Sequence, residues 1–222
     1  MNSRKLVGLF LKTLLIGAIV SLVVSFIVNN AEYMEVLQPF DLFNLFGVVA
    51  WYVIYGLLFS VISQAGFFAY LFVNQFGLGL FRSFWPTVQL LLIAFAVFDL
   101  VYFPYKGTDG EIALYLLVLM AAAILAYGLI IARIKARETH QRAFVPALFF
   151  MIVITSIEWV PGLRTGEVDY ALIMILSLLA CNTYQLLILH RLSGNDTSKT
   201  SIHGTGKKNN PAHNKNAGST KA

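Results

Sequence analysis

The chain has 222 residues, 58% of them hydrophobic and 12% charged, with a mean hydropathy of +0.74, against roughly 45–50% and about 25% in soluble domains. A water-soluble fold of this size has no means of hiding so much apolar surface. The net charge of +5 does not indicate nucleic acid, because the basic residues gather at the ends of apolar runs and in the C-terminal segment, as membrane topology alone demands.

A transmembrane barrel would show alternating segments of about ten residues, and none occur. The expectation is an all-α polytopic membrane protein, a bundle of six transmembrane helices over residues 1–192 followed by a tail. Arg4 and Lys5 precede an apolar run over residues 6–28 interrupted by Lys12. The run is long for a signal-peptide core and lacks an A-x-A-like exit, so it reads as a retained first helix. Gly17, Ser21 and Ser25 recur every four residues and form a stripe that admits a second helix closely.

A short acidic loop with Glu32, Glu35 and Asp41 leads to a second helix over residues 43–72. Thirty helical residues extend about 45 Å, past the ~30 Å hydrocarbon core. The helix either tilts and projects or leaves the membrane near Gln64. Residues 74–85 then read as a glycine-hinged connection containing Gly77, Gly79 and Arg82 among aromatics. Pro86 opens helix three (86–103), since a first-turn proline loses no hydrogen bond. Helix four (112–131) carries Ala122 and Ala126 on a small-residue surface. Helices five (143–160) and six (170–189) flank an acid-bearing loop with Arg164, Glu167 and Asp169. Residues 193–222 hold one large aliphatic side chain, Ile202, and read as a disordered basic tail.

Six spans with both termini cytoplasmic place every one of the 16 Lys and Arg except Lys106 and Arg164 on the inner side, a strong positive-inside pattern. Intramembrane ionisable groups are functional candidates by default. Asp99 and Glu158 therefore form either an acidic site for a cation or proton, or two separate carboxyls reaching the outer interface. Gln64, Gln89, Asn182 and Gln185 read as interhelical hydrogen-bonding groups.

No chemistry beyond these is indicated. The four histidines, His140, His190, His203 and His213, lie at or beyond helix ends, so no H-E-x-x-H zinc site exists. The serines in spans have no base to activate them. Cys181 stands alone, so no disulfide framework can form. Gly204 to Lys208 lacks phosphate-loop spacing, and the sequon at Asn195 falls on the cytoplasmic side. No cofactor, metal or catalytic residue is expected.

The opening Met1-Asn2-Ser3-Arg4-Lys5 with Leu14 to Ala18 is similar to the start of the KinB-signalling-pathway activation (KbaA) family. So is the central block Ala69-Tyr70, Phe76-Gly77-Leu78-Gly79, Phe81-Arg82-Ser83, Trp85 and Phe98-Asp99-Leu100-Val101-Tyr102-Phe103. The resemblance covers about residues 1–190 and is most specific in the central block. It implies an integral membrane protein of spore-forming Gram-positive bacteria acting upstream of a membrane-bound sensor histidine kinase that feeds the sporulation phosphorelay. It carries no catalytic residues with it. The expected function is thus a non-enzymatic activator of such a kinase in the plasma membrane, with the lipid bilayer and the kinase as partners and an undetermined oligomeric state. The alternative is a small transporter or ion pathway through Asp99 and Glu158. Arg82 and Asp99 are singled out within the central block.

Overall fold

The computed structural model describes residues 3–37, 41–107, 113–163, 165 and 167–203; the side chains of 3, 36, 107 and 190–203 fall outside that description. Arg164 and residues 204–222, named above for topology and the tail, also lie outside it. All the described elements are helical. They are α1 (Ser3–Val28), α2 (Asn30–Leu37), α3 (Leu42–Phe81), α4 (Trp85–Gly107), α5 (Leu114–Glu138), α6 (Phe144–Phe149), a π-helical turn (Phe150–Ile154), α7 (Thr155–Leu163) and α8 (Val168–His203). Short 3-10 turns at Arg82–Phe84 and Gln141–Ala143 precede α4 and α6. Six long apolar helical segments result, with α6, the π turn and α7 forming one of them.

The bundle has two halves. Helices α1, α3 and α8 pack on one another, while α4 and α5 pack on α6. The segment from α6 through α7 runs between them, and its residues 147–155 are buried on every side. Elsewhere the helices bury one stripe and turn Leu, Ile, Val and Phe outward: Leu11, Leu15, Ile19 and Phe26 on α1 and Leu114, Val118 and Leu119 on α5 are all exposed. An apolar exterior over an apolar core is compatible with helices long and apolar enough to cross a membrane.

Helix α3 begins at Asp41, whose carboxylate accepts from the Phe43 and Asn44 amides at 2.9 and 3.3 Å, the usual N-cap contact. It then runs unbroken for 40 residues, about 60 Å. It therefore does not end near residue 72, and the helix is continuous through Gln64. The expected glycine-hinged connection is helix as far as Phe81. Gly77 serves packing instead: the Trp85 ring lies directly on it, and a Cβ there would overlap the indole. Trp85 Nε1 donates to Asn74 Oδ1 at 2.9 Å, and Gln89 Nε2 reaches the same oxygen at 3.3 Å. The chain reverses only at Arg82, with φ 46° and ψ −113°, a region that side chains avoid.

Three other segments differ from the sequence expectation. Residues 30–37 form α2 rather than a loop. Tyr33 is the reason: it is buried, meets Ser25 Oγ at 2.9 Å and stacks on Tyr52. Tyr52 Oη in turn donates to Glu32 Oε2 at 2.6 Å. Helix α5 continues past residue 131 to Glu138, so Arg133, Lys135 and Arg137 stand on a helix. Helix α8 runs on to His203, through residues expected to be tail.

Candidate functional site: a polar chain inside the bundle

The small-residue stripe on α1 is consumed inside the chain. Gly17, Ser21 and Ser25 are buried, and Gly17 meets Gly56 of α3 backbone to backbone. A Cβ on Gly17 would stand 2.6 Å from the Gly56 carbonyl oxygen, and one on Gly56 2.6 Å from the Ala18 Cα. Hydrogen bonds bracket the crossing: Ser21 Oγ donates to Tyr52 O at 2.9 Å and Ser60 Oγ contacts Thr13 O at 3.1 Å. Ala122 and Ala126 are different. Both are exposed on α5, whereas Ala121 and Gly128 of the same helix face inward.

The two candidate carboxyls also part company. Glu158 sits on α7 one turn from its end, but helical side chains lean toward the N-terminus, so its carboxyl descends toward the middle of the bundle. There Oε2 accepts from Asn182 Nδ2 at 2.7 Å. The same amide nitrogen reaches Thr155 Oγ1 at 2.9 Å. Gly66 of α3 leaves the space for the carboxyl: a Cβ there would be 2.7 Å from Glu158 Cδ and 3.0 Å from Ile154 Cγ2. Glu158 is 6% exposed, and its Oε1 has no hydrogen-bond partner. Asp99 lies on α4, half-buried, between exposed Phe98 and buried Leu100. No hydrogen bond joins it to Glu158 among the described residues.

From Asn182 the hydrogen bonds continue across the bundle. Ser63 Oγ donates to Asn182 Oδ1 at 2.6 Å, and Gln185 Nε2 donates to Ser63 Oγ at 2.7 Å. Thus Gln185, Ser63, Asn182 and Glu158 form one continuous chain linking α8, α3 and α7, every member at most 6% exposed. Buried polar groups are tolerated only when hydrogen-bonded, and in this chain the bonds also fix how three helices register. A second, shorter group couples Thr13, Ser60 and Cys181, with the Cys181 sulfur 3.6 Å from Ser60 Oγ and 3.7 Å from Thr13 O.

Sequence reasoning pointed to Glu158, Asn182 and Gln185 singly but missed their common centre, Ser63, and the space provided by Gly66. The available signal was spacing: Thr155 and Glu158, Asn182 and Gln185, and Ser60, Ser63 and Phe67 each recur at three or four residues and so share helix faces. The π turn directly before Thr155 adds one residue to that helix turn. An extra residue rotates everything downstream by about 100°, which sequence periodicity does not register. Arg82 is exposed at the α3–α4 reversal, far along α3 from the chain. Lys135, expected as a loop charge, is buried, and its Nζ donates to the Leu186 carbonyl of α8. Among the described residues no cluster of His, Cys, Asp and Glu is arranged to hold a metal ion.

Comparison with known proteins gives a consistent picture. Residues 17–192 match the family KbaA, described as KinB-signalling pathway activation in sporulation. The chain is 39% identical over 197 residues to the KinB-signaling pathway activation protein of Bacillus subtilis (strain 168), covering 87% of this chain and 99% of that protein. No solved structure matches it. The match spans α1 from Gly17 through the described side chains of α8, including the whole polar chain, and the chain belongs to the KbaA family.

Proposed function

We propose that this protein is a multi-pass plasma-membrane component that takes part in KinB-pathway activation, acting without catalysis by packing against a membrane-bound sensor histidine kinase. The observation that carries the reading is the 39% identity extending over 99% of a protein named for that pathway. The long apolar helices with outward-facing aliphatic side chains support membrane insertion. The charge pattern supports cytoplasmic termini. An activator of this kind works by binding one signalling state of its partner better than the other.

The structure narrows where such packing is available. The Gly17 stripe is occupied by α3, so the contact surface is sought among outward faces; the Ala122–Ala126 face of α5 carries small residues, as does the Ala65–Ala69 face of α3. A charge-conducting reading draws little support, because Glu158 is engaged by Asn182 and Asp99 is not part of that chain. The test is co-reconstitution with the kinase in vesicles, with photo-crosslinkers at Ala122 and Ala126 and at Leu15 of α1 as a control. Crosslinks to the kinase from α5 together with a change in its autophosphorylation are expected. Unchanged autophosphorylation and no crosslink from any face would sink direct activation.

A further inference from the structure

Helix α3 is longer than the bilayer it would cross, and none of its length is charged. Between Asp41 and Asp99 the single charged residue is Arg82. Even tilted by about 40°, its 40 residues rise about 46 Å, against about 30 Å of hydrocarbon and about 40–45 Å with headgroups included. The crossing with α1 shows which end overshoots. Ser21–Tyr52, Gly17–Gly56, Thr13–Ser60 and Phe10–Gln64 face one another in antiparallel order, so Arg4 and Lys5 stand level with about residues 68–70 of α3. The helix continues about 16 Å beyond them.

That extension is apolar on its outside. Phe72, Phe76 and Leu80, at every fourth position, are 62–71% exposed, as is Phe84 after the turn. Phe72 and Phe76 stack, and with Gln75, Gly79 and Leu80 they line a shallow groove of ≈ 430 Å³. Nothing lies within 4 Å of a Cβ built on Gly79. A helix entering water presents charges on its outer face, whereas this stripe continues the outward face of α3 that carries Val61, Ala65 and Phe68. Aromatic side chains beside an arginine suit the headgroup layer. The backbone adds an independent sign. Arg82 is the one non-glycine residue with positive φ among the described residues. Its reversal suits glycine, and Gly77 and Gly79 stand close by, yet arginine occupies it. Strain of this kind is retained where the residue is used.

We propose that Phe72 to Phe84 is a lipid-binding element of the leaflet on the Arg4–Lys5 side, whose groove takes an acyl chain of an anionic phospholipid while Arg82 takes the phosphate. A guanidinium fork matches phosphate oxygens two at a time. The apolar end of α3 then has lipid rather than water as its surroundings. The proposal rests on the membrane reading of the chain and is independent of the kinase.

The full chain is reconstituted in nanodiscs of mixed phosphatidylcholine and phosphatidylglycerol. Spin labels are attached through Phe72→Cys, Phe76→Cys or Phe84→Cys, with Val61→Cys as the hydrocarbon control and Gln141→Cys as the aqueous control; all five positions are exposed, and the native Cys181 is buried. Collisions with oxygen, which enters lipid, should exceed those with a nickel chelate, which stays in water, at the three phenylalanine positions and at Val61, with the reverse at Gln141. Nickel access at Phe72 and Phe76 matching that at Gln141 would overturn the proposal, as would protection from both reagents, which marks cover by protein. Nickel access at Val61 as well would remove the membrane reading with it. Phosphatidylglycerol and phosphatidylcholine carrying a diazirine in the acyl chain are then crosslinked in trace amounts and mapped by mass spectrometry. Phosphatidylglycerol should label residues 72–84 about fivefold more, the worth of one basic residue at an anionic surface. Arg82→Lys should keep most of that preference. Arg82→Gln, with the same backbone strain and no charge, should abolish it while phosphatidylcholine labelling stays unchanged. No preference, or one that survives Arg82→Gln, would overturn the proposal.

Discussion

Replacing Gly56 by alanine asks one methyl group to occupy the point where α1 and α3 touch through their backbones. That methyl would sit 2.6 Å from the Ala18 Cα, about 1 Å inside the normal carbon–carbon separation. The obstruction is main chain, so no side chain can swing away, and the helices must part by a comparable amount. Parting stretches the Ser21–Tyr52 and Ser60–Thr13 hydrogen bonds that bracket the crossing. Overpacking of this kind costs about 1–3 kcal/mol, and each interhelical hydrogen bond lost in a membrane about 0.6 kcal/mol. The sum is about 2–4 kcal/mol, or roughly 30- to 1000-fold in the folding equilibrium. Gly47 on the same helix is the control, since nothing lies within 4 Å of a Cβ built there. Reversible unfolding in mixed micelles by SDS titration, read by far-ultraviolet circular dichroism, measures both. Gly56→Ala should unfold at much lower SDS than Gly47→Ala; equal midpoints would refute the claim that backbone contact at Gly17 and Gly56 holds these helices together.

Gly66→Ala should cost about 1–3 kcal/mol by displacing the Glu158 carboxyl from Asn182, and Glu158→Asp in the same background, shorter by one methylene, should recover part of that loss in a double-mutant cycle. Asn182→Leu leaves the Ser63 hydroxyl and the Glu158 carboxyl unpaired at about 1–3 kcal/mol, so Asn182→Leu with Glu158→Leu should be less destabilised than the sum of the two, measured by the same SDS titration. Arg82→Gly relieves the positive φ and should stabilise by about 1 kcal/mol, while Arg82→Ala should leave stability unchanged; a stabilising alanine would show that the backbone at residue 82 is not strained. Tyr52→Phe removes the hydroxyl that holds Glu32, and hydrogen exchange over residues 30–37 should speed up severalfold with α1 and α3 unaffected.

The family and the helical class were legible in the residues themselves. Six apolar runs separated by polar breaks demand helices wherever lipid denies the backbone other hydrogen-bond partners, and the central block with its Phe-Gly-Leu-Gly, Arg82 and Phe-Asp-Leu-Val-Tyr-Phe pattern carried the resemblance that the comparisons bear out. Periodicity along α1 likewise marked Gly17, Ser21 and Ser25 as a face, because a helix's own geometry decides which residues share a side.

What a face touches is decided by the fold. The sequence does not distinguish the stripe on α1, which is consumed by Gly56, from the alanines on α5, which stay exposed. Nor does it indicate that glycines at 77 and 66 exist to admit Trp85 and Glu158 rather than to bend the chain. The polar chain depends on residues as much as 122 positions apart meeting within 2.7 Å. It depends also on a π turn that re-aims Thr155 and Glu158. A helix is specified by bonds between near neighbours, whereas Gln185, Ser63, Asn182 and Glu158 become one hydrogen-bonded chain only when three helices are packed in register.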